Sequence, residues 1–238
     1  MPLKDGFLKH IYNDYTGFHS IEIVRSTKAA DLLKPIKKAI YTFERLWNFK
    51  VIVIRIDVQM SLVESDEWQD FISDTGITVE LSAPDVHAQN GAAKKSRGVL
   101  VTRARKLKLH LGLPDSLDTE IYKAAAYMLN RSPTRRLGWL SPLGKIQQLA
   151  GVRNPQPKLA HLQPYGCRAY ALNYYIDKLE RLESRVHIRY LVGYKSTNIF
   201  QIWIPKLLRV IRARDVTFDQ TRKYDAKDQF KDITEELV

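Results

Sequence analysis

The chain has 238 residues, of which 45% are hydrophobic and 27% charged, so it can bury a core and wholesale disorder is excluded. No apolar run approaches the roughly 20 residues of a membrane-spanning helix, and the first residues lack the pattern of a secretory signal, so we expect a protein of the nucleus or cytoplasm. The net charge of +12 favours a polyanionic partner, most often nucleic acid.

The first half of the chain alternates strand and helix signals. Two β-rich runs meet at Thr16-Gly17, a hairpin-like turn, and apolar residues then recur at helical spacing from Ala29 to Asn48 despite Pro35. The next predicted elements are a strand buried on both faces in VIVIRIDV, a short helix in DEWQDFISDTG, a strand in ITVELS, and helices over 90–111 and 116–130. This order predicts an α/β layered domain.

The second half begins with a connector and continues as short strands. Ser132 to Gln163 holds four of the ten prolines and is predicted to be irregular, with one short helix. The β-rich segments that follow are CRAYALNYY, HIRYLVGYK, NIFQIWIP and LRVIRARDVTF, each bounded by turn residues or charges. Short strands at this spacing predict a small barrel.

The positive charge is concentrated in the predicted helix over 90–111. Leu100, Ala104, Leu107 and Leu111 form an apolar stripe, and Lys94, Arg97, Arg105 and Lys108 recur on another face. The remaining basic residues of this helix are Lys95, Arg103 and Lys106. We interpret these seven residues as contacts to backbone phosphates, which position a nucleic acid without reading its sequence. A merely solvated basic face is the alternative.

Other residue types give weaker indications. The single cysteine, Cys167, excludes an internal disulfide and is expected to be buried. The six histidines are scattered without the spacing of metal ligands, so each is expected to be a surface or packing residue. Two interpretations remain for the aromatic residues of the predicted barrel, base stacking or core packing: Tyr190, Tyr194, Phe200 and Trp203.

Several motifs resemble, in the same order, the integrase of copia-type long-terminal-repeat retrotransposons. Ile77 to Pro114 resembles a segment in which a strand, a Ser-Ala-Pro turn and a Gln-Asn-Gly helix start lead into a basic helix. Asn130 to Thr134 is similar to the Asn-Arg-Ser-Pro-Thr box of that family. The segments HLQPYGCRAY, RYLVGYKSTNIFQIWIP and VIRARDVTFDQ resemble its SH3-like barrel. The resemblance covers about Phe7 to Gln220.

The resemblance implies an α/β ribonuclease H-like integrase core followed by a small all-β SH3-like barrel. The predicted bounds are 1–131 for the core, 132–158 for a connector, 159–220 for the barrel and 221–238 for an acidic tail. The first strand of the family precedes the turn at which Met1 stands, so we expect a core that lacks this strand. A longer product that starts upstream of Met1 is the alternative.

The resemblance also implies a catalytic site in which two Asp and one Glu hold two Mg²⁺ ions. The second aspartate corresponds to Asp57, but the loop after it lacks the acid that the family carries there. The glutamate corresponds to Lys94, which places a cation where a metal ligand belongs. Neither Asp5 nor Asp14 stands in the context of the first aspartate. We therefore expect Asp57 to be a relic, with no intact metal site and no Mg²⁺ in this chain.

These observations predict a truncated, degenerate integrase fragment. The family role is integration of DNA by Mg²⁺-dependent strand transfer, and the residual activity expected here is non-specific binding of nucleic acid, DNA or RNA. The alternative is a non-catalytic protein-interaction module that uses the β-barrel. No membrane partner is expected.

Overall fold

The computed structural model describes residues 2–3, 6–57, 60–82, 91–171 and 188–227. The strands are β1 Pro2–Leu3, β2 Gly6–Asn13, β3 Phe18–Val24, β4 Val53–Asp57, β5 Thr78–Ser82, β6 Cys167–Ala171, β7 Arg189–Tyr194, β8 Phe200–Ile204, β9 Arg209–Ala213 and β10 Val216–Lys223. The α-helices are α1 Ala29–Trp47, α2 Met60–Val63, α3 Asp66–Thr75, α4 Gly91–Leu111, α5 Asp118–Leu129 and α6 Pro142–Leu149. Within these ranges, no helix is both long and apolar enough to cross a membrane.

The chain divides into two compact units. One comprises Met1–Thr102 with Ala126–Pro157, and the other comprises Arg103–Ala125 with Lys158–Val238. This division differs from the predicted core boundary at residue 131, because the segment 103–125 packs with the barrel. The second unit resumes at Lys158, next to the predicted barrel start at residue 159.

In the first unit, β2 and β3 form the predicted hairpin. The strands pair antiparallel from Phe7↔Val24 to Asn13↔Phe18. The side chain of Asn13 accepts hydrogen bonds from the backbone and the hydroxyl group of Thr16. Gly17 takes the left-handed conformation (φ 73°) that a glycine adopts at little steric cost. The turn chemistry read from the sequence therefore sets the register.

The core of this unit lies under α1. Leu32, Leu33 and Ile40 of α1 pack with Trp68 and Phe71 of α3 in one buried cluster. Asn48 ends α1 in the left-handed conformation and donates its backbone N–H to Glu44. Pro35 is buried inside α1 as its seventh residue, where it cannot donate a backbone N–H to the carbonyl of Asp31; the burial of its neighbours in the core cluster offsets this loss.

The predicted burial of β4 on both faces is wrong. Ile54 and Ile56 pack on the core cluster, but Val53 is 48% exposed and the preceding Ile52 is 66% exposed. Within the described residues, β4 pairs only with β5, in parallel, and β2 is flanked by β3 and the two-residue β1. No described strand joins β2 to β4. One face of β4 is therefore covered by helices while the other meets solvent.

The second unit is built on a five-stranded antiparallel sheet in the order β10-β6-β7-β8-β9. All six residues of β7 are buried, as expected for the central strand. The segment 103–125 adds seven buried hydrophobic residues to this unit: Ala104, Leu111, Leu113, Leu117, Ile121, Ala124 and Ala125. Gly166 lies against Leu111, since a Cβ atom at this glycine would stand 2.5 Å from Leu111 Cδ1.

This contact predicts that Gly166→Ala destabilises the protein more than Gly112→Ala. Both glycines are left-handed, with φ of 77° and 60°, but a Cβ at Gly112 would meet nothing within 4 Å. We expect Gly112→Ala to cost about 1 kcal/mol of backbone strain. Gly166→Ala should cost a further 1–3 kcal/mol or so, because it also overpacks the core. Urea unfolding of the full chain measures both; equal losses would contradict the importance of the Leu111 contact.

Candidate nucleic-acid interface

Helix α4 carries its predicted apolar stripe toward the interior. Leu100 is fully buried, Ala104 and Leu111 are buried, and Leu107 is half-buried. The helix has seven basic residues and no acidic residue. Six of the seven side chains are exposed: Lys94, Lys95, Arg97, Arg103, Arg105 and Lys106. This part of the predicted interface is thus available to solvent and to a polyanion.

Lys108, the seventh basic residue, is in a different environment. Its ammonium group lies 2.7 Å from Asp115 Oδ1 and 2.6 Å from Asp118 Oδ1, and its side chain is 27% exposed. Burial lowers the pKa of Lys108, but the hydrogen bonds and charges of the two aspartates outweigh burial and raise the pKa above its ordinary value. A phosphate would have to displace two carboxylates to bind here. Lys108 therefore serves first as an internal link between α4 and the start of α5.

The positive charge of Arg97 on α4 acts on two residues of the β2–β3 hairpin, which belongs to the same unit. The pKa of Lys9 on β2 is lowered by burial and then by the positive charge of Arg97. The pKa of His10 is also lowered by Arg97, after burial and His19. Arg97 is consequently close enough to β2 for its charge to act on both groups.

The predicted catalytic positions lie at the ends of two elements. Asp57 is the last residue of β4, and its backbone pairs with Ser82 at the end of β5. Lys94 is in the first turn of α4 and is exposed. Among the described residues, no three His, Cys, Asp or Glu side chains form a group that could hold a metal ion. One aspartate position and one ammonium group are not a donor set for two Mg²⁺ ions, which need several oxygen ligands.

The aromatic residues of the barrel pack in its core rather than on its surface. Tyr190 and Trp203 are buried on adjacent strands with ring centroids 6.5 Å apart, and Tyr194 and Phe200 are buried with centroids 6.1 Å apart. Cys167 is also buried, and burial, followed by the charge of Asp219, raises its pKa to about 11. The core-packing interpretation of the four aromatic residues is confirmed, because their buried ring faces are not accessible to bases.

The sequence did not predict that two of the scattered histidines form a pair. His10 Nε2 lies 3.0 Å from His19 Nδ1, and the rings stack with centroids 5.1 Å apart. The hairpin register explains this, since Tyr12 pairs with His19 and His10 is on the same face of β2 as Tyr12. Asn130 fixes the backbone of His19 by donating to its carbonyl and accepting from its N–H. The hairpin turn predicted at Thr16-Gly17 was the sequence signal from which this pairing of the two histidines could have been inferred.

The pair predicts a stability that falls as the pH falls from about 6.5 to about 4. Burial lowers the pKa of both histidines to about 4, whereas in the unfolded chain each has the ordinary histidine pKa of about 6.5. The unfolded state therefore binds more protons in this range, which costs up to about 1.4 kcal/mol per pH unit for each histidine.

Denaturant unfolding of wild type and the double variant His10→Gln with His19→Gln, between pH 4.5 and 7.5, measures this dependence. We expect the double variant to have the flatter pH profile. His110→Gln, at an exposed position on α4 outside the pair, is the matched control for the replacement of a histidine by glutamine. A double variant with an unchanged slope would refute the role of the pair.

Comparisons with known proteins match both units. Residues 167–232 match the family model of the retroviral polymerase SH3-like domain. The chain is 27% identical over 177 residues to the retrovirus-related Pol polyprotein from transposon TNT 1-94 of Nicotiana tabacum, in an alignment that covers 73% of this chain and 13% of the polyprotein. The chain thus corresponds to a small part of that relative.

Three solved integrase structures are also similar to the chain. The HTLV-2 integrase catalytic core domain in complex with magnesium has 16% identity and a TM-score of 0.41, covering 59% of this chain and 95% of its own. The catalytic core domain of BIV integrase has 12% identity and a TM-score of 0.46, covering 59% and 91%. The simian T-cell lymphotropic virus intasome in complex with the PP2A regulatory subunit B56 gamma has 14% identity and a TM-score of 0.46, covering 84% and 72%.

The chain combines a unit of mixed helices and strands with a five-stranded antiparallel sheet, and the segment that holds this sheet matches the retroviral polymerase SH3-like domain. By sequence, the chain is similar to a segment of a retrovirus-related retrotransposon Pol polyprotein, in agreement with the family that its motifs resemble.

Proposed function

We propose that this integrase-derived chain is catalytically inactive and binds nucleic acid without sequence specificity through the exposed basic residues of α4, in the nucleus or cytoplasm. The observation that carries the proposal is the charge of this helix, which has seven basic residues, six of them exposed, and no acidic residue. Phosphate contacts of this kind hold DNA or RNA by charge and carry no information about the bases.

The proposed inactivity follows from the side chains that are available to coordinate metal ions. Strand transfer in the family uses two metal ions to stabilise the attacking and leaving oxygens, and each ion needs carboxylate ligands. Lys94 stands at the family glutamate position, and an ammonium group repels a divalent cation instead of coordinating it. The same substitution attracts a phosphate. It removes a requirement of catalysis while adding to the binding of the polyanion.

We predict that the purified chain does not nick or join DNA with Mg²⁺ or Mn²⁺. Conversion of supercoiled plasmid to the open circular form is the measurement. Asp57→Asn is the control for a contaminating nuclease, since it removes the carboxylate at the relic position. Metal-dependent nicking by the wild type that is lost in Asp57→Asn would overturn the proposed inactivity.

We predict that Arg105→Ala weakens binding to duplex DNA and flattens its salt dependence, and that Lys108→Ala does so much less. Each phosphate contact contributes a slope of about −0.9 to log K against log salt, because counterions are released. Arg105 is exposed, whereas Lys108, one turn further along the helix, is already paired with Asp115 and Asp118. Fluorescence anisotropy with two unrelated duplexes at several salt concentrations measures both variants.

The two variants separate this interface from the alternatives. Arg105→Ala should reduce the slope by nearly one unit and affect both duplexes equally. Thermal unfolding of Lys108→Ala controls for the loss of its internal ion pairs. An unchanged slope in Arg105→Ala, or a strong preference for one duplex, would show that α4 is not the binding surface.

The barrel offers one observation for the alternative of a protein-interaction module. Leu207 and Leu208, at the turn between β8 and β9, are 55% and 72% exposed. Leu208 also has a positive φ of 49°, which is uncommon for a residue other than glycine. Under this alternative, Leu208→Ser would abolish binding of a partner while DNA binding stays weak in wild type and unchanged in Arg105→Ala.

A further inference from the structure

Trp139 is exposed on a closely hydrogen-bonded loop. Its side chain is 72% exposed, and its φ of 66° lies in the left-handed region, where a bulky residue is an outlier. The loop is closed by hydrogen bonds from Trp139 N and Leu137 N to Thr134 O and from Thr134 N to Leu140 O. The backbone thus holds a strained conformation that displays an indole ring to solvent. Residues held in such strained conformations cluster at functional sites.

A second exposed aromatic residue lies on the turn that packs against this loop. Tyr15, 68% exposed, belongs to the β2–β3 turn, whose Gly17 lies near the side chains of Leu137 and Pro142. Arg136 donates hydrogen bonds to the carboxylate and the carbonyl oxygen of Asp14 in the same turn. The ammonium group of Lys145 lies 5.7 Å from the Tyr15 ring centroid. The two aromatic residues are therefore displayed on adjoining loops of the first unit.

The surroundings are positively charged. Between Arg131 and Pro157 the sequence has five basic residues and no acidic residue. Arg135 and Arg136 are exposed beside Trp139 in the chain, and the carboxylate of Asp14 is already engaged by Arg136. Exposed aromatic rings among cations match a ligand that combines planar rings with negative charge.

We propose that Trp139 and Tyr15 form a stacking surface for unpaired bases of single-stranded nucleic acid, with Arg135 and Lys145 placed to contact its phosphates. The ligand is a single strand, because in a duplex the neighbouring base pairs cover the faces of each base. Stacking on aromatic residues tolerates any base, since every base has a π face. This surface is separate from α4 and does not depend on duplex binding there.

The experiment compares two oligonucleotides of equal length, oligo(dT) and an abasic analogue that keeps the phosphates but lacks bases. Tryptophan fluorescence of the full chain reports the contact: Trp68 and Trp203 are buried, and Trp47 is half-buried. We expect oligo(dT) to quench the emission and the abasic analogue to leave it unchanged. Trp47→Phe should keep the quenching, whereas Trp139→Phe should remove most of it.

Affinity and stability separate stacking from a structural role. Trp139→Gly should bind oligo(dT) about tenfold more weakly, within the range of one base–aromatic stack, while its affinity for the abasic analogue stays the same. Because glycine accepts a positive φ, its unfolding midpoint should equal or exceed that of wild type. Arg105→Ala should keep the quenching, so failure of the α4 interface would not hide this one.

Three outcomes would overturn the proposal. Equal affinity for the two oligonucleotides would show attraction by charge alone. A fall in the unfolding midpoint of Trp139→Gly, with affinity for both oligonucleotides reduced alike, would show that Trp139 supports the fold. Unchanged binding of oligo(dT) by Trp139→Gly, together with a concentration-dependent dimer lost in that variant, would identify the surface as a contact between copies of the chain.

Discussion

Burial of Leu100, Ala104 and Leu111 fixes the rotation of α4 about its axis, and the direction of its basic side chains follows from that rotation. Full burial of one leucine contributes roughly 1.5–3 kcal/mol. Turning the helix so that an arginine faced the interior would lose this gain and bury an unpaired charge. The exposed cations are thus held outward by the core beneath them. The fold contributes orientation to this interface, and the sequence contributes the sign of the charge.

Patterns of regular spacing could be predicted from the sequence, whereas contacts between distant segments could not. The 3.6-residue recurrence of apolar residues predicted α4 and its buried stripe, and the turn residues Thr16-Gly17 predicted the hairpin. The partners of Lys108 come from the turn beyond the end of its helix and from the first residue of α5, so no periodic pattern identifies them. Whether β4 is covered on both faces depends on which strands and helices reach it, and its composition alone suggested more burial than it has. Trp139 lies in a segment predicted only as irregular.

In the proposed function, Lys94 marks a catalytic surface that has changed its chemistry without a change of fold. A helix that presents a carboxylate to metal ions and a helix that presents an ammonium group to phosphates need the same backbone and the same buried stripe. Only the outward side chain differs. In the proposed function, the helix keeps its affinity for the nucleic acid backbone and loses the ions that would break it. The stacking surface that we propose at Trp139 would add a contact that depends on base faces rather than on charge.

The buried thiol of Cys167 makes this protein suited to a measurement of its own fluctuations. With a pKa of about 11, the thiol is almost wholly protonated near neutral pH, and the thiolate is the form that reacts with alkylating agents. Because the chain has one cysteine, at the first residue of β6, each alkylation event records one opening of the sheet at that strand. The rate of labelling therefore reads the frequency with which the barrel exposes its interior, without any introduced probe.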